Sequence, residues 1–191
     1  KSYSYDEYGN LIEKAFWDIN GNSIMHKEGY ARYIREYDDC GNRIKEHFYD
    51  VNGAPTFFKD GYASWTSEYD AFGNEIVTAF YGIDGHPIST KQGISQLKRQ
   101  YDENGNMTEE AYLDINCEPT YSNQAIASFK AKYDENNNRI EQAFFDIRGN
   151  PMLGEDGCAR DEWKFDEQGN IVQLSCFDTE GNLILHKDGF A

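Results

Sequence analysis

Tyr37-Asp38-Asp39-Cys40-Gly41-Asn42-Arg43-Ile44 is the stretch that sets the fold. An aspartate that bonds its own backbone two residues on, followed by a Gly-Asn pair that tolerates positive φ, is turn chemistry. The Tyr-Asp marker recurs at Tyr5-Asp6, Tyr69-Asp70, Tyr101-Asp102 and Tyr133-Asp134, with Phe165-Asp166 as a sixth copy. Each step is 32 residues (5, 37, 69, 101, 133, 165), with no insertion or deletion. Other columns keep the same phase. An aromatic column runs Phe16, Phe48, Phe80, Tyr112 and Phe144 and ends in Cys176. An aspartate column runs Asp18, Asp50, Asp114, Asp146 and Asp178, with Gly82 as its exception. Prolines stand at Pro55, Pro87, Pro119 and Pro151, and closing glycines at Gly29, Gly61, Gly93, Gly157 and Gly189. A fixed period is the signature of stacked repeats that meet in one geometry.

Outward from the turn, the pattern predicts strand, turn, strand, turn, short strand. Ala31, Tyr33, Arg35 and Tyr37 alternate with Arg32, Ile34 and Glu36, the period-2 pattern of a strand. A second strand is expected over Arg43 to Tyr49. Asp50-Val51-Asn52-Gly53 reads as a tight Asn-Gly hairpin turn. Pro55 to Lys59 reads as a third strand, and Lys59-Asp60-Gly61 as the turn into the next unit. Helix is expected to be minor. The predicted fold is all-β, an elongated array of antiparallel β-hairpins in six tandem units. The units are 1–31, 32–63, 64–95, 96–127, 128–159 and 160–191, together one repeat domain over 1–191. The alternative is a closed six-unit propeller-like ring, ranked second because a propeller blade takes about 40 residues or more.

The second strand ends in a doubled apolar step: Phe16-Trp17, Phe48-Tyr49, Phe80-Tyr81, Tyr112-Leu113 and Phe144-Phe145. Neighbouring residues point to opposite faces. Either both faces are covered there, or one face carries an aromatic row. If the Phe80 column is core, Phe80→Ala costs about 3–5 kcal/mol. If the other column is open, Trp17, Tyr49, Tyr81 and Phe145 form a platform for a sugar or peptide.

Aromatic residues are 15% of the chain, enough for a packed fold despite a mean hydropathy of −0.81. The net charge of −16 opposes phosphate backbones and anionic headgroups, which sets aside nucleic acid and membrane surfaces as partners. No apolar run is long enough for a membrane helix. Cys40, Cys117, Cys158 and Cys176 stand at different offsets in their repeats, and so read as free thiols. Asp18, Asn20 and Asn22 hold calcium-type oxygen ligands, but the glycine falls one position early for an EF-hand and Gly29 stands where its glutamate belongs. A hairpin turn explains the same residues. The histidines His26, His47, His86 and His186 make no repeated pairing with a nucleophile, and six recurring units offer no unique cleft for catalysis. Units four and five erode: Cys117, Ala125 and Asn137 replace turn glycines. This reads as drift.

The stretches Tyr5-Asp6-Glu7-Tyr8-Gly9-Asn10-Leu11-Ile12 and Tyr69-Asp70-Ala71-Phe72-Gly73-Asn74-Glu75-Ile76 resemble the YD motif of the Rhs/YD-repeat family. That resemblance covers about eight residues per unit. It implies β-hairpins that add laterally into spiralling sheets, and the full unit resembles repeat arrays attached to large multidomain bacterial proteins, which implies a bacterial source and an accessory role. The fixed unit length and the close at Lys59 to Ala63 and Lys187 to Ala191 depart from the motif. The expectation is therefore a non-enzymatic scaffold or protein-interaction array within a larger bacterial protein, partnered by protein or by neighbouring repeats. The second reading is a carbohydrate-binding or adhesive surface module using the aromatic row. The third is a calcium-stabilised surface repeat; otherwise no cofactor is expected. The compartment, whether cell surface, secreted or cytoplasmic, is left open.

Overall fold

A computed structural model describes residues 1–187 and 189. The closing Asp188, Phe190 and Ala191 of the last repeat lie outside the described residues. The chain divides into two compact units, Lys1–Gln96 and Leu97–Ala191, near the boundary between the third and fourth repeats. In the first unit the strands are β1 (Ser2–Tyr5), β2 (Leu11–Ala15), β3 (Arg32–Tyr37), β4 (Arg43–Tyr49), β5 (Ser64–Tyr69) and β6 (Glu75–Tyr81). Each pairs antiparallel with the next. The second unit continues with β7 (Gln96–Tyr101), β8 (Met107–Leu113), β9 (Ser128–Tyr133), β10 (Arg139–Phe145), β11 (Arg160–Phe165), β12 (Ile171–Phe177) and β13 (Leu183–Ile184). Its strands also pair in chain order. The fold is all-β, a tandem array of antiparallel hairpins that add side by side, and no helix occurs among the described residues. Separate propeller blades are not formed in either unit, because the second strand of each hairpin pairs with the first strand of the next.

Two local expectations are corrected. The third strand is a single bridge, as at Tyr49↔Pro55 and Tyr81↔Pro87. Proline has no N–H to extend a ladder, and the chain turns again almost at once, where Phe58 N–H donates to the Tyr62 carbonyl at 2.7 Å. Only the last repeat, with Leu183 in the proline column, builds the two-residue strand β13. The second turn is also longer than an Asn-Gly pair. Gly53 N–H donates to the Asp50 carbonyl (3.2 Å) and Asp50 N–H to the Ala54 carbonyl (2.8 Å), with Gly53 at φ 82°. That is a type I turn closed by a left-handed residue, a three-residue loop. The Tyr-Asp turn has the same form, with Gly41 N–H on the Asp38 carbonyl at 3.0 Å.

A β-bulge follows every Tyr-Asp turn for which pairing is described. Glu36 pairs with Lys45 but Tyr37 with Arg43, leaving Ile44 without a partner. Ile12, Ile76, Ile140 and Val172 are skipped in the same way. The bulge increases the local twist. The motif tyrosine also reaches into the preceding repeat. The Tyr37 hydroxyl donates to the Leu11 carbonyl (3.0 Å), Tyr69 to Arg43 (2.9 Å) and Tyr133 to Met107 (3.0 Å). This contact explains why the column prefers tyrosine. Tyr37→Phe is expected to lose about 1 kcal/mol, measured by urea unfolding, whereas Tyr5→Phe, in the exposed first strand, is expected to be neutral.

The core lies on one sheet face at the end where the closing turns fold back. Phe16, Tyr30, Tyr33, Phe48 and Trp65 are buried, with Phe58, Tyr62 and Phe80 packed against them. Rings stack within a repeat, Phe16 on His26 at 4.5 Å and Phe48 on Phe58 at 5.0 Å, and meet at a tilt across repeats, Tyr30 near Phe48 at 5.1 Å and Tyr62 near Phe80 at 4.9 Å. Burial pushes the Tyr30 phenol up to about 12. The doubled aromatic step is thus resolved: the Phe16 and Phe48 column faces inward, and the next column is on the other face. Phe80 is only half-buried, so the full truncation cost expected there belongs to Phe48, which is 2% exposed. A column of small residues, Ala31, Ala63, Ser95, Ala127 and Ala159, is buried where each new hairpin begins.

The three eroded turns keep their geometry. Cys117 (φ 63°), Ala125 (φ 60°) and Asn137 (φ 63°) occupy the left-handed region in place of glycine. Asparagine tolerates it, while alanine and cysteine pay a steric penalty through Cβ. Ala125→Gly and Cys117→Gly are each expected to raise stability by about 1 kcal/mol, read as an upward shift of the melting temperature, while Asn137→Gly changes little.

The free-thiol expectation is corrected for two of the four cysteines. Cys158 and Cys176 form a disulfide across 18 residues, while Cys40 and Cys117 are free and exposed. The offsets differ because the repeat contact itself joins unlike positions. Tyr30 meets Phe48 and Tyr62 meets Phe80, again 18 residues apart in each pair. The disulfide replaces a ring-on-ring contact in the last repeat interface.

Candidate interaction surface

The second aromatic column lies on the face opposite the core. Trp17, just beyond β2, is 44% exposed, and its indole N–H donates to the Ser2 hydroxyl at 2.9 Å. Tyr49 is half-buried, with the Arg32 guanidinium 4.7 Å above its ring. The two are cross-strand partners. Tyr81 pairs with Ser64, and its hydroxyl lies 3.4 Å from that of Thr66. Trp17, Tyr49 and Tyr81 share one face of the first unit, two strand spacings apart, roughly 10 Å. Phe145 belongs to the second unit and carries Lys130 at 5.7 Å over its ring. In that unit Arg160 also lies 3.9 Å from the Phe177 ring. The face is therefore a row of aromatics partly capped by cations (worth about 0.5–1 kcal/mol each at exposed sites). Sequence reading found the aromatics and missed the cations; the cross-strand position of Arg32 and Arg160 was the available signal.

The turn edge carries the acidic charge. In each intact turn the aspartate accepts from its own loop: the Asp38 carboxylate takes the Cys40 and Asn42 backbone N–H groups at 2.9 and 2.8 Å and the Asn42 side-chain amide at 2.9 Å. Asp18, named above with Asn20 and Asn22, is engaged in the same way by the backbone N–H groups of both and by the Asn22 amide. The Gly82 exception keeps its turn because Asp84 accepts the His86 N–H at 3.1 Å. The asparagine amides, aided by backbone N–H groups, hold Asp6, Asp18, Asp38, Asp70, Asp102 and Asp134 below the ordinary carboxylate value. A carboxyl whose folded pKa is depressed stabilises the fold fully above its unfolded value and loses that contribution as pH falls through the folded one. Asp161, raised by burial, acts in the opposite sense as a single group. Melting temperature is therefore expected to be steady above about pH 5 and to fall progressively below about pH 4; a profile flat to pH 2 would contradict the turn bonding.

Between the Tyr-Asp turns of consecutive repeats lies a groove. In the first unit it measures about 640 Å³ and is lined by Asp6, Tyr8, Asn10, Tyr37, Asp38 and Asp39, among others. In the second unit an equivalent groove of about 620 Å³ is lined by Asp134, Asn136, Asn138, Phe165, Asp166 and Glu167. The six positions named in each groove correspond one to one in the repeat. A concave, acid-rimmed feature thus recurs with the architecture.

No family model matches the chain, and no curated protein matches it. The class it defines is a tandem β-hairpin repeat, as the strand pairing shows. Among solved structures, it is similar to the crystal structure of TcdB2-TccC3-TEV, at 13% identity and a TM-score of 0.45, over 93% of this chain and 9% of that chain. It is also similar to the crystal structure of TcdB2-TccC3-Cdc42, at 11% identity and a TM-score of 0.29, over 94% of this chain and 10% of that chain. The chain thus spans about a tenth of the length of either match. No helix of the described residues is long and apolar enough to cross a membrane.

Proposed function

We propose that the chain is a non-enzymatic scaffold and protein-interaction array, a YD/Rhs-like segment of a larger protein, that receives an extended basic partner along its turn edge. The observation that carries this reading is the recurrence of the acid-rimmed groove at equivalent positions of both units. Recurring grooves suit a partner that presents cationic side chains at intervals, and the chain's net charge of −16 steers such a partner toward it. Asp39 and Glu167 are exposed on the rims of the two grooves. Titration with lysine- and arginine-rich peptides is expected to show binding that weakens with salt and is reduced by Asp39→Lys and Glu167→Lys. Equal affinity for basic and acidic peptides, or no loss in the charge-reversed variants, would reject it.

The exposure of Trp17 supports a second reading, a neutral glycan stacked on that indole with Tyr49, Tyr81 and Phe145 contributing where their cations leave room. A glycan array without binding, with Trp17 fluorescence unchanged by oligosaccharides, removes it. For calcium at Asp18, Asn20 and Asn22, identical melting temperatures with calcium and with chelator end the reading.

A further inference from the structure

The interface between the fifth and sixth repeats differs in chemistry from the first. Between repeats one and two, four rings meet: Tyr30, Tyr33, Phe48 and Phe58, with Tyr30 5.9 Å from Tyr33, 5.1 Å from Phe48 and 6.2 Å from Phe58. At the same four repeat positions the last interface carries Cys158, Asp161, Cys176 and His186. The intervening sets are Tyr62, Trp65, Phe80 and Thr90, then Ile94, Leu97, Tyr112 and Ser122, then Ile126, Phe129, Phe144 and Gly154. Each of these keeps three apolar side chains. The fourth position varies (Phe58, Thr90, Ser122, Gly154), whereas the other three stay apolar until the last interface, where Cys158, Asp161 and Cys176 replace them and all four positions carry side chains that ligate metals.

The geometry agrees with the substitution. The Cys158 and Cys176 sulfurs and an Asp161 carboxylate oxygen lie within 4.8 Å of one another, and no other such group of three forms among the described residues. Metal bonds of roughly 2.0–2.3 Å at tetrahedral angles place donors about 3.3–3.8 Å apart. Both cysteines are 0% exposed, Asp161 is 8% exposed and His186 9%. Asp161 pairs across the strands with Cys176. His186 stands at the fourth repeat position of the same interface and is buried, but lies outside that group of three. A buried carboxylate is costly unless a cation compensates it.

We propose that this interface is a redox-gated site for a borderline-soft divalent cation of the zinc class, bound by the Cys158 and Cys176 thiolates and the Asp161 carboxylate, with His186 as the fourth donor. In the disulfide state the sulfurs are spent on each other. Two molecules of a small thiol reduce the bond: they give up two electrons and two protons, leave as their own disulfide, and the protein gains two cysteine thiols. The cation then displaces both thiol protons and takes the two thiolates as ligands, which suits zinc. The interface is closed in both states, by a covalent bond when oxidised and by the metal when reduced.

The test is a Co2+ titration of the full chain in a Cys40→Ser/Cys117→Ser background, stripped of metal and reduced with a phosphine. The expected result is one equivalent of Co2+ bound with a thiolate-to-metal charge-transfer band and tetrahedral d–d absorption, displaced by Zn2+ and abolished on reoxidation. Asp161→Asn and His186→Gln, which preserve shape, are each expected to weaken Co2+ binding tenfold or more. A reduced chain that is folded by circular dichroism and shows no charge-transfer band overturns the proposal. So does a band that survives Cys158→Ser/Cys176→Ser, unchanged affinity in both the Asp161 and His186 variants, or a reduced, unfolded chain that zinc does not refold.

Discussion

Phe48→Ala is expected to destabilise the protein by about 3–5 kcal/mol, the largest loss for a single truncation in the first unit. Phe48 is 2% exposed and touches rings from two closing turns, those of Tyr30 and Phe58, as well as Tyr62. Removing it leaves a cavity whose walls belong to two repeats, so neither repeat closes it alone. The same change at Phe80, half-buried at the edge of that cluster, is expected to cost about 2 kcal/mol, because exposed ring surface loses no burial. Urea unfolding of the two variants side by side gives both values. A loss below about 1 kcal/mol at Phe48 would remove that column from the core.

Gly29→Ala is the second large effect, about 2–4 kcal/mol, because two penalties coincide there. Gly29 sits at φ 97°, and a Cβ built on it falls 2.6 Å from the Phe57 backbone carbonyl oxygen of the next closing turn. Backbone does not yield as a side chain would, and the two turns are tied by a Lys59 N–H bond to the Glu28 carbonyl at 2.8 Å. Gly41, at φ 85° with open space around it, is the control. Gly41→Ala carries the left-handed penalty alone and is expected to cost about 1 kcal/mol. Equal losses at the two glycines, measured by thermal melting, would show that the closing turns do not pack on one another.

The hairpins were legible because their determinants are local. Asp38 and Gly41 fix the turn, and period-2 alternation from Arg32 to Tyr37 fixes the strand before it. The order of strands followed from the invariant spacing. The third strand was misread since Pro55 begins an extended segment in isolation, and only the nearby closing turn at Phe58 to Tyr62 shows that no ladder can grow. Which aromatic column faces the core was undecidable from Phe48 and Tyr49 alone, as both are apolar and opposite in direction. Tyr30 and Phe58 decide it, and they come from turns that fold over one face. The Cys158–Cys176 bond was hidden for a related reason. Repeats touch through unlike positions, so matching offsets are the wrong test, and the 18-residue separation shared with Tyr30 and Phe48 is the right one. At the turn edge, the aspartates were visible as turn formers, whereas the grooves between them depend on lateral packing and are absent from any single repeat.

Each repeat is completed by its neighbour through the ring contacts between them. A double-mutant cycle on Tyr30→Leu and Phe48→Leu isolates one such contact, since one ring comes from the closing turn of the first repeat and the other from the hairpin of the second. The expected coupling is about 1 kcal/mol, the range for aromatic pairs in contact. Losses that add to within about 0.3 kcal/mol would mean that the two rings do not interact and that the repeats are not completed by their neighbours.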